Sequence, residues 1–158
     1  MKLSKNLNDL LNLQVTHEFR NMLIYKQIEA HFESLELKNI AKYFGEQAQH
    51  EKEHGDKFLQ HINDRIGGIV QVSGVDFPQM QLSEIDAIAD TYVSVEEETT
   101  ASIEKIYQMA LQENSFIDLP FLLNMLNEQV EEEDSANYFS VRIRNVRDLV
   151  LFDATFGG

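Results

Sequence analysis

The sequence predicts an all-α protein: an antiparallel four-helix bundle with a long crossover between the second and third helices and a short fifth helix at the C-terminus. Four long stretches carry apolar residues at steps of three and four, which is the period of an amphipathic helix. Residues 66–82 lose this period and hold three of the seven glycines and one of the two prolines. With 158 residues, the whole chain (1–158) is expected to form one domain.

The first two helices form a predicted hairpin. The first is expected to begin after Ser4 and to end near Glu33, and the second to extend from Lys38 to Arg65. The link between them, residues 34–37, is so short that the two helices must be antiparallel neighbours. The expected inward positions of the first helix are Leu7, Leu11, Val15, Glu18, Met22, Tyr25, Ile28 and Phe32. Those of the second helix are Ile40, Phe44, Ala48, Glu51, His54, Phe58 and Ile62.

The third and fourth helices form a second predicted hairpin. Ser83, with Asp86 three positions later, predicts that the third helix begins near Glu84, and it is expected to end near Gln112. Asp118 is the expected N-cap of the fourth helix, with proline in its first turn. The expected inward positions of the third helix are Ile85, Ile88, Tyr92, Glu96, Thr100, Ile103, Tyr107 and Ala110. Those of the fourth are Leu122, Met125, Gln129, Glu132, Ala136, Phe139, Ile143 and Val146.

The remaining segments are the crossover and the tail. Because residues 66–82 are long enough to lie along the bundle, the second and third helices are expected to be parallel. The apolar residues of the tail, residues 147–158, predict a short fifth helix. This helix must bury Leu149, Leu151 and Phe156, and a subunit interface is one place where they could be buried.

Composition excludes several classes of function. The absence of cysteine excludes disulfides, thiolate metal sites and cysteine nucleophiles. A formal net charge of −14 argues against nucleic-acid binding and favours the attraction of cations. There is no apolar run of membrane-spanning length and no signal-peptide core near the N-terminus, so we expect no membrane partner and a cytoplasmic location.

Each of the four helices has polar residues near the middle of its apolar stripe. Helix middles lie at one level in an antiparallel bundle, so these side chains are expected to converge in the core. Several buried carboxylates would repel one another and lose hydration, and two divalent cations would relieve both costs. Oxygen ligands with one imidazole suit iron or manganese better than zinc. The converging residues are Glu18, Glu51, His54, Glu96, Gln129 and Glu132.

At these residues the sequence resembles the ferritin-like di-iron carboxylate family over essentially its whole length, and in particular the non-haem ferritins of bacterial type. The motifs that carry the resemblance are Glu18 with Tyr25, Glu51-x-x-His54, Glu96 and the segment LNEQV at residues 126–130. The same arrangement of acids on four helices is described in general for di-iron carboxylate bundles.

The resemblance implies a role for each residue. Glu18, Glu51 and His54 would bind a first iron, and Glu51 would bridge to a second iron held by Glu96. Gln129 and Glu132 would lie at the edge of that second position. Tyr25 would be a nearby phenol that donates an electron; the alternative is a core tyrosine with a satisfied hydroxyl.

The family likeness also implies a function. Fe(II) would be oxidised by O2 or H2O2 and stored as a ferric mineral inside a hollow shell of 24 subunits, with the fifth helix packed around the fourfold axes. Because the tail is brief and ends in Gly157 and Gly158, this packing is expected to be weaker than in other shells.

Three departures from the family pattern limit what is carried over. Bacterioferritins have a haem-binding methionine at the position of Lys52 and Glu-x-x-His at that of Gln129-x-x-Glu132, so no haem is expected. Leu119 and Leu122 stand where animal ferritins have acids in the threefold channel, so the route of iron uptake is not carried over.

A third iron site is the remaining departure. In bacterial ferritins it uses a glutamate immediately before the bridging one, together with acids from the fourth helix. Here His50 takes that glutamate's position, beside Glu128 and Glu131, so any third site would be altered.

Two other readings stay open at this point. Another di-iron oxidase or peroxidase of the same fold is the enzymatic alternative, although a rubredoxin-type electron donor would need four cysteines. A non-catalytic helical bundle is the structural alternative, and it leaves six polar residues at core positions unexplained.

Overall fold

The computed structural model describes residues 1–156, which form five α-helices and no strand. None of these helices combines the length and apolar character that a membrane crossing requires. Their bounds agree closely with the predicted ones, and the all-α bundle is confirmed. The helices are α1 (Lys5–Ser34), α2 (Lys38–Asp64), α3 (Ile85–Gln112), α4 (Leu119–Arg144) and α5 (Leu149–Thr155).

The segment between α2 and α3 follows α1 from one end of the bundle toward the other. Near its start, the Asn12 side chain donates to the carbonyl of Ile69 (2.8 Å) and accepts from the backbone N–H of Gln71 (2.6 Å). Further along, the guanidinium of Arg20 donates to the carbonyl of Asp76 (3.2 Å). Because this crossover covers the length of the bundle, α2 and α3 run in the same direction, as predicted.

Ser4, the residue before α1, caps that helix as expected: its hydroxyl accepts from the backbone N–H of Leu7 (3.1 Å). The predicted starts of α3, near Glu84, and of α4, with Asp118 as its N-cap, are confirmed, but neither helix has a side-chain cap. The N-cap of α3 is Glu84 rather than Ser83, and no side chain caps it. Asp118 is the N-cap of α4, but its carboxylate does not bind the helix N-terminus, because it accepts hydrogen bonds from elsewhere in the bundle.

Two apolar cores fill the bundle, one on each side of its middle. The upper core, at the end of the bundle where α1 is linked to α2, is aromatic. Its rings include Phe32, Phe44, Tyr92 and Phe139. The lower core is mostly aliphatic, and Leu122 is fully buried in it. Within a single chain, therefore, Leu122 is not available to line a channel. The mid-stripe polar residues lie in the layer between the two cores.

α5 packs on the bundle from which it comes. Phe152 is buried, and Asp153 accepts from the backbone N–H of Ile40 (2.8 Å), which supplies α2 with the cap that its own N-cap residue lacks. Phe156 packs on the ring of Tyr43 (5.2 Å between centroids). Leu149 and Phe156 pack against the core of the same chain, whereas Leu151 is 63% exposed, so its expected burial in a subunit interface stays a prediction. Gly157 and Gly158, on which the expectation of weak axial packing rested, lie outside the described residues.

Candidate metal centre

The middle of the bundle holds a compact group formed by Glu18 of α1 and Glu51 and His54 of α2. All three side chains are buried, and one ligand atom from each lies within 4.8 Å of the other two. Nδ1 of His54 is 3.8 Å from Oε1 of Glu51 and 3.9 Å from Oε2 of Glu18. None of these three atoms has a hydrogen-bond partner in the described part of the chain. Three unsatisfied lone-pair donors therefore face one small space, which is the arrangement that a cation would satisfy.

Local sequence explains why the two helices approach so closely here. Glu51 and His54 are three residues apart, so they project from one face of α2 toward α1. Gly55 lies beside them, and a Cβ at that position would be only 2.6 Å from Cε1 of Phe19 on α1. A larger residue at 55 would have to displace the ring of Phe19, the neighbour of Glu18 on α1.

Two amides that the sequence analysis did not single out hold the carboxylates in place. The amide of Gln14 donates to Oε1 of Glu18 (2.9 Å), and that of Asn21 donates to Oε2 of Glu51 (3.1 Å). Each carboxylate thus has one oxygen fixed by an amide and the other free. The predicted face of α1 was slightly rotated, because Asn21 is fully buried while Met22 is only half-buried.

Glu96 of α3 forms a second, adjacent group with Tyr25 and Gln129. The hydroxyl of Tyr25 donates to Oε1 of Glu96 (2.5 Å), and the amide of Gln129 donates to Oε2 (3.2 Å). Oε1 of Gln129 is buried without a hydrogen-bond partner. The hydroxyl of Tyr25 is therefore satisfied, and it is satisfied by one of the predicted metal ligands.

Burial sets the electrostatics of this layer. It raises the pKa of Glu18 and of Glu96 to about 7, although the hydrogen bond from Tyr25 opposes the rise at Glu96. It also raises the pKa of Glu51 well above its usual value, and the charges of Glu18 and Glu96 add to the effect. Burial lowers the pKa of His54, which favours the neutral imidazole that a metal binds. Without a cation, negative charge on these buried carboxylates is therefore unfavourable.

The remaining predicted residues lie on the α2–α4 side and do not form one cluster. Glu132 is mostly buried, and burial raises its pKa to about 7. Its Oε1 is 3.8 Å from Nδ1 of the exposed His50. Glu128 instead lies against His54, with its Oε2 2.9 Å from Nε2. Glu131 is exposed. The structure thus does not bring together His50, Glu128 and Glu131, the residues of the altered third site.

Glu128 is expected to orient His54 when a metal binds, since its Oε2 lies 2.9 Å from Nε2, within hydrogen-bond distance but without hydrogen-bond geometry in the metal-free chain, and Nδ1 remains toward Glu18 and Glu51. The ammonium of Lys57 fixes the other oxygen of Glu128 (2.7 Å). Carboxylates that orient ligating histidines typically contribute about 10–100-fold in metal affinity, so Glu128→Ala should weaken Zn(II) binding by about that factor. Titration calorimetry on the metal-free protein measures this directly. Glu131→Ala, an exposed acid on the same helix, is the control, and an equal loss in both variants would contradict the prediction.

The fold and this layer together define a class of protein: an all-α bundle whose core holds a carboxylate–histidine group suited to divalent metal. The chain belongs to the ferritin-like family, since residues 8–146 match the Ferritin-like domain. The resemblance noted in the sequence is thereby confirmed.

Two relatives and two solved structures illustrate this membership. The bacterial non-heme ferritin of Staphylococcus aureus (strain USA300) is 34% identical over 131 residues, which is 83% of this chain and 78% of that protein. The bacterial non-heme ferritin of Staphylococcus haemolyticus is 28% identical over 133 residues, covering 84% and 80% of the two chains. An open pore ferritin from Archaeoglobus fulgidus superposes with a TM-score of 0.90 at 28% identity, over 98% of this chain and 96% of that one. An iron-soaked variant of the protein PmFTN superposes with a TM-score of 0.90 at 25% identity, over 96% of this chain and 99% of that one.

Proposed function

We propose that this protein is an iron-storage ferritin with ferroxidase activity, which oxidises Fe(II) with O2 or H2O2 inside the bundle and stores Fe(III) as a mineral in a hollow shell. The observation that carries the proposal is the set of three buried ligand atoms without partners: Oε2 of Glu18, Oε1 of Glu51 and Nδ1 of His54. Leaving such atoms unsatisfied costs free energy that a bound cation would recover. Carboxylate oxygens with one imidazole suit Fe(II). The bacterial non-heme ferritins among the relatives support the same choice.

Each residue has a proposed role in handling the two irons. Glu18, Glu51 and His54 bind the first, and Glu51 bridges to a second that is held by Glu96. Gln129, whose carbonyl oxygen is unpartnered, and Glu132 lie at the edge of the second position.

Tyr25 is the proposed electron donor beside the second iron. Two Fe(II) ions supply two electrons, which reduce O2 only as far as H2O2, so two further electrons must come from elsewhere to complete the reduction to water. Tyr25 can give one, and its phenolic proton can pass along the 2.5 Å hydrogen bond to Glu96.

Aerobic Fe(II) loading tests the proposed function. The purified assembly should consume O2 and form Fe(III) rapidly, then retain iron as a particle that survives gel filtration. His54→Ala should lose the rapid phase, whereas Glu97→Ala, which removes an exposed acid of α3, should retain it. A protein that oxidises Fe(II) but keeps no mineral would instead be another di-iron oxidase or peroxidase. A protein that binds no Fe(II) would be a structural bundle, and either result would overturn the proposal.

A large closed assembly, with the 24 subunits that the family likeness implies, is the expected oligomeric state. Apolar side chains that a monomer would leave in water support it: Leu13 of α1 is 65% exposed, and Val72 of the crossover 69%. Light scattering should return a single large particle that persists on dilution. A stable monomer or dimer would contradict this expectation and remove the storage function.

The protein is expected to purify without haem. Lys52 is exposed and its ammonium pairs with Asp56 (2.8 Å), so it offers no soft ligand to haem iron. An absorption spectrum of the purified assembly should lack a Soret band, and a band that survives gel filtration would contradict the expectation. The cytoplasmic location and the absence of nucleic-acid and membrane partners stay predictions from the sequence.

A further inference from the structure

Three of the five tyrosines lie in a row that leads from Glu96 to the protein surface. Tyr25, at the inner end, is fully buried and hydrogen-bonded to Glu96. Tyr92 of α3 is also fully buried, and Tyr43 of α2 is partly exposed. The proposed chemistry uses Tyr25 only, so the other two have no assigned role.

The three rings are in direct succession. The centroids of Tyr25 and Tyr92 are 5.4 Å apart with the rings edge to face, and those of Tyr92 and Tyr43 are 6.1 Å apart. The hydroxyls of Tyr92 and Tyr43 are hydrogen-bonded to each other at 2.8 Å. Phe44 and Phe139 pack around the row and hold it in place, but a phenyl ring has no hydroxyl proton to release on oxidation. The chain has no tryptophan or cysteine, so tyrosine is the type of side chain from which it loses an electron most readily in one-electron oxidation.

We propose that Tyr92 and Tyr43 extend the donor role of Tyr25 into a one-electron relay that connects the metal centre with a reductant in solution. This inference rests on the proposed ferroxidase function and adds to it a route by which the oxidised tyrosine is repaired. The reductant is a small one-electron donor of the ascorbate class.

The electrons and protons of the relay balance in three transfers. Tyr25 gives an electron to the H2O2 that two Fe(II) ions have formed from O2, and gives its proton to Glu96. A second turn of the relay supplies the second electron, so that H2O2 and two protons from water become two molecules of water. Tyr92 then returns an electron to Tyr25, which takes back its proton from Glu96. Tyr43 in turn gives an electron to Tyr92, which keeps its own phenolic proton throughout. In the net step Tyr43 has lost one electron and one proton. The electron has gone to H2O2, and the proton leaves to water, because Tyr43 is the member of the row that reaches the surface. The reductant restores Tyr43 by giving one electron, while a proton returns from water.

The surroundings of Tyr43 suit contact with a small molecule. Its ring stacks on Phe139 (5.7 Å between centroids) and lies between two shallow surface depressions of about 150 and 370 Å³. Lys42 and Glu46 both line the smaller one and pair with each other at 4.0 Å, so the ammonium offsets the nearest carboxylate and leaves this spot less acidic than the chain as a whole. Burial raises the pKa of Tyr43 to about 12, so its phenol remains protonated until it is oxidised.

Freeze-quench electron paramagnetic resonance on the whole assembly tests the relay, after addition of Fe(II) and O2. In the unaltered protein we expect a tyrosyl radical that ascorbate quenches quickly. Tyr43→Phe and Tyr92→Phe should each lose the rapid quenching, because the radical then stays on a buried ring. Tyr107→Phe is the matched control: this tyrosine packs against the lower core and should have no effect. Each substitution keeps the ring, and an unchanged thermal melt establishes that the variants are folded.

The outcomes separate the relay from the function on which it rests. Rapid ascorbate quenching that survives in both Tyr43→Phe and Tyr92→Phe, with Fe(II) oxidation intact, would overturn the relay and leave the ferroxidase in place. A radical that forms only on Tyr25 would do the same. Absence of rapid Fe(II) oxidation in the unaltered protein would overturn the proposed function, and the relay would fall with it.

Discussion

Replacing both Glu18 and Glu51 with glutamine is expected to raise the melting temperature of the metal-free protein above neutral pH, while destroying its response to divalent cations. Glutamine keeps the shape of each side chain and an oxygen that accepts the hydrogen bond from Gln14 or Asn21. It removes the negative charge, and burial of that charge is the largest cause of the raised pKa of each glutamate. The variant should therefore be more stable and inactive at the same time.

The pH dependence gives this prediction its sign and size. The pKa of Glu18 is about 7 in the folded chain against an ordinary value of 4.5. Between these values the folded state holds a proton that the unfolded state has lost, so stability falls as pH rises toward 7. Above that pH the cost of the charge is complete, and for Glu18 alone it is roughly 3 kcal/mol. The variant should gain most there, and its advantage should disappear near the ordinary pKa of glutamate.

A divalent cation separates this explanation from a general gain in stability. An ion that binds only the folded state adds about 2.7 kcal/mol at a hundred times its dissociation constant, so Zn(II) should raise the melting temperature of the unaltered protein. Zn(II) should change the melting temperature of the glutamine variant little. Glu97→Gln with Glu98→Gln, two exposed acids of α3, is the matched control and should resemble the unaltered protein in both respects. Equal stabilisation of both proteins by Zn(II), or a lower melting temperature of the metal-free variant, would contradict a buried metal site here.

The helical period was sufficient to predict the bundle and the level of its polar layer. Glu18, Glu51 and Glu96 could be identified because each interrupts an otherwise apolar stripe, where a solvated acid has no reason to be. Gln14 and Asn21 were missed for the opposite reason. They lie at the edge of the apolar stripe of α1. At such a position the sequence does not distinguish an amide that supports a carboxylate from one that faces water. Their spacing from Glu18, four residues before and three after, is the signal that could have found them.

Contacts between distant parts of the chain could not be predicted in this way. Ser83 and Asp118 both fit local rules for helix starts, and neither side chain caps its helix. For Asp118 the competing partners are Arg65 and His61, more than fifty residues away, and charged hydrogen bonds to a buried carboxylate outweigh a neutral cap. Glu128 behaves similarly, since its position beside His54 depends on the packing of α4 against α2.

Removing the carboxylate of Asp118 is expected to give the largest loss of stability among single substitutions in the lower half of the bundle. Asp118 is fully buried and accepts from Nε of Arg65 (2.6 Å), from His61 (2.9 Å) and from Ser115 (2.6 Å). Arg65 is also buried and donates to the backbone carbonyl of Met1 (3.0 Å), so the cluster joins α2, α4 and the N-terminus. Asp118→Ala would leave a buried guanidinium unpaired, which typically costs about 3–5 kcal/mol. Thermal or denaturant unfolding of the metal-free protein measures the loss.

Acidification should reduce the difference in stability between the unaltered protein and Asp118→Ala. Burial alone would raise the pKa of Asp118, but the hydrogen bonds from His61, Arg65 and Ser115 outweigh it and hold the pKa below the ordinary value of 3.8. The stabilisation is therefore complete above that value and is lost as pH falls through the lower one. The gap between the unaltered protein and Asp118→Ala should narrow on acidification, and a gap that widens would contradict the assignment.

A double substitution distinguishes the cost of an unpaired charge from the cost of lost packing. Asp118→Leu with Arg65→Met removes both charges and keeps most of the volume, so it should recover much of the stability that Asp118→Ala loses, because no buried charge remains unpaired. Lys52→Met with Asp56→Leu removes the exposed pair on α2 and provides the control, since solvent-screened pairs of this kind contribute little to stability. If the Arg65–Asp118 double variant unfolded as easily as Asp118→Ala, the loss would come from the cavity rather than from the orphaned guanidinium. The buried cluster would then join α4 to α2 through the packing of its side chains rather than through their charges.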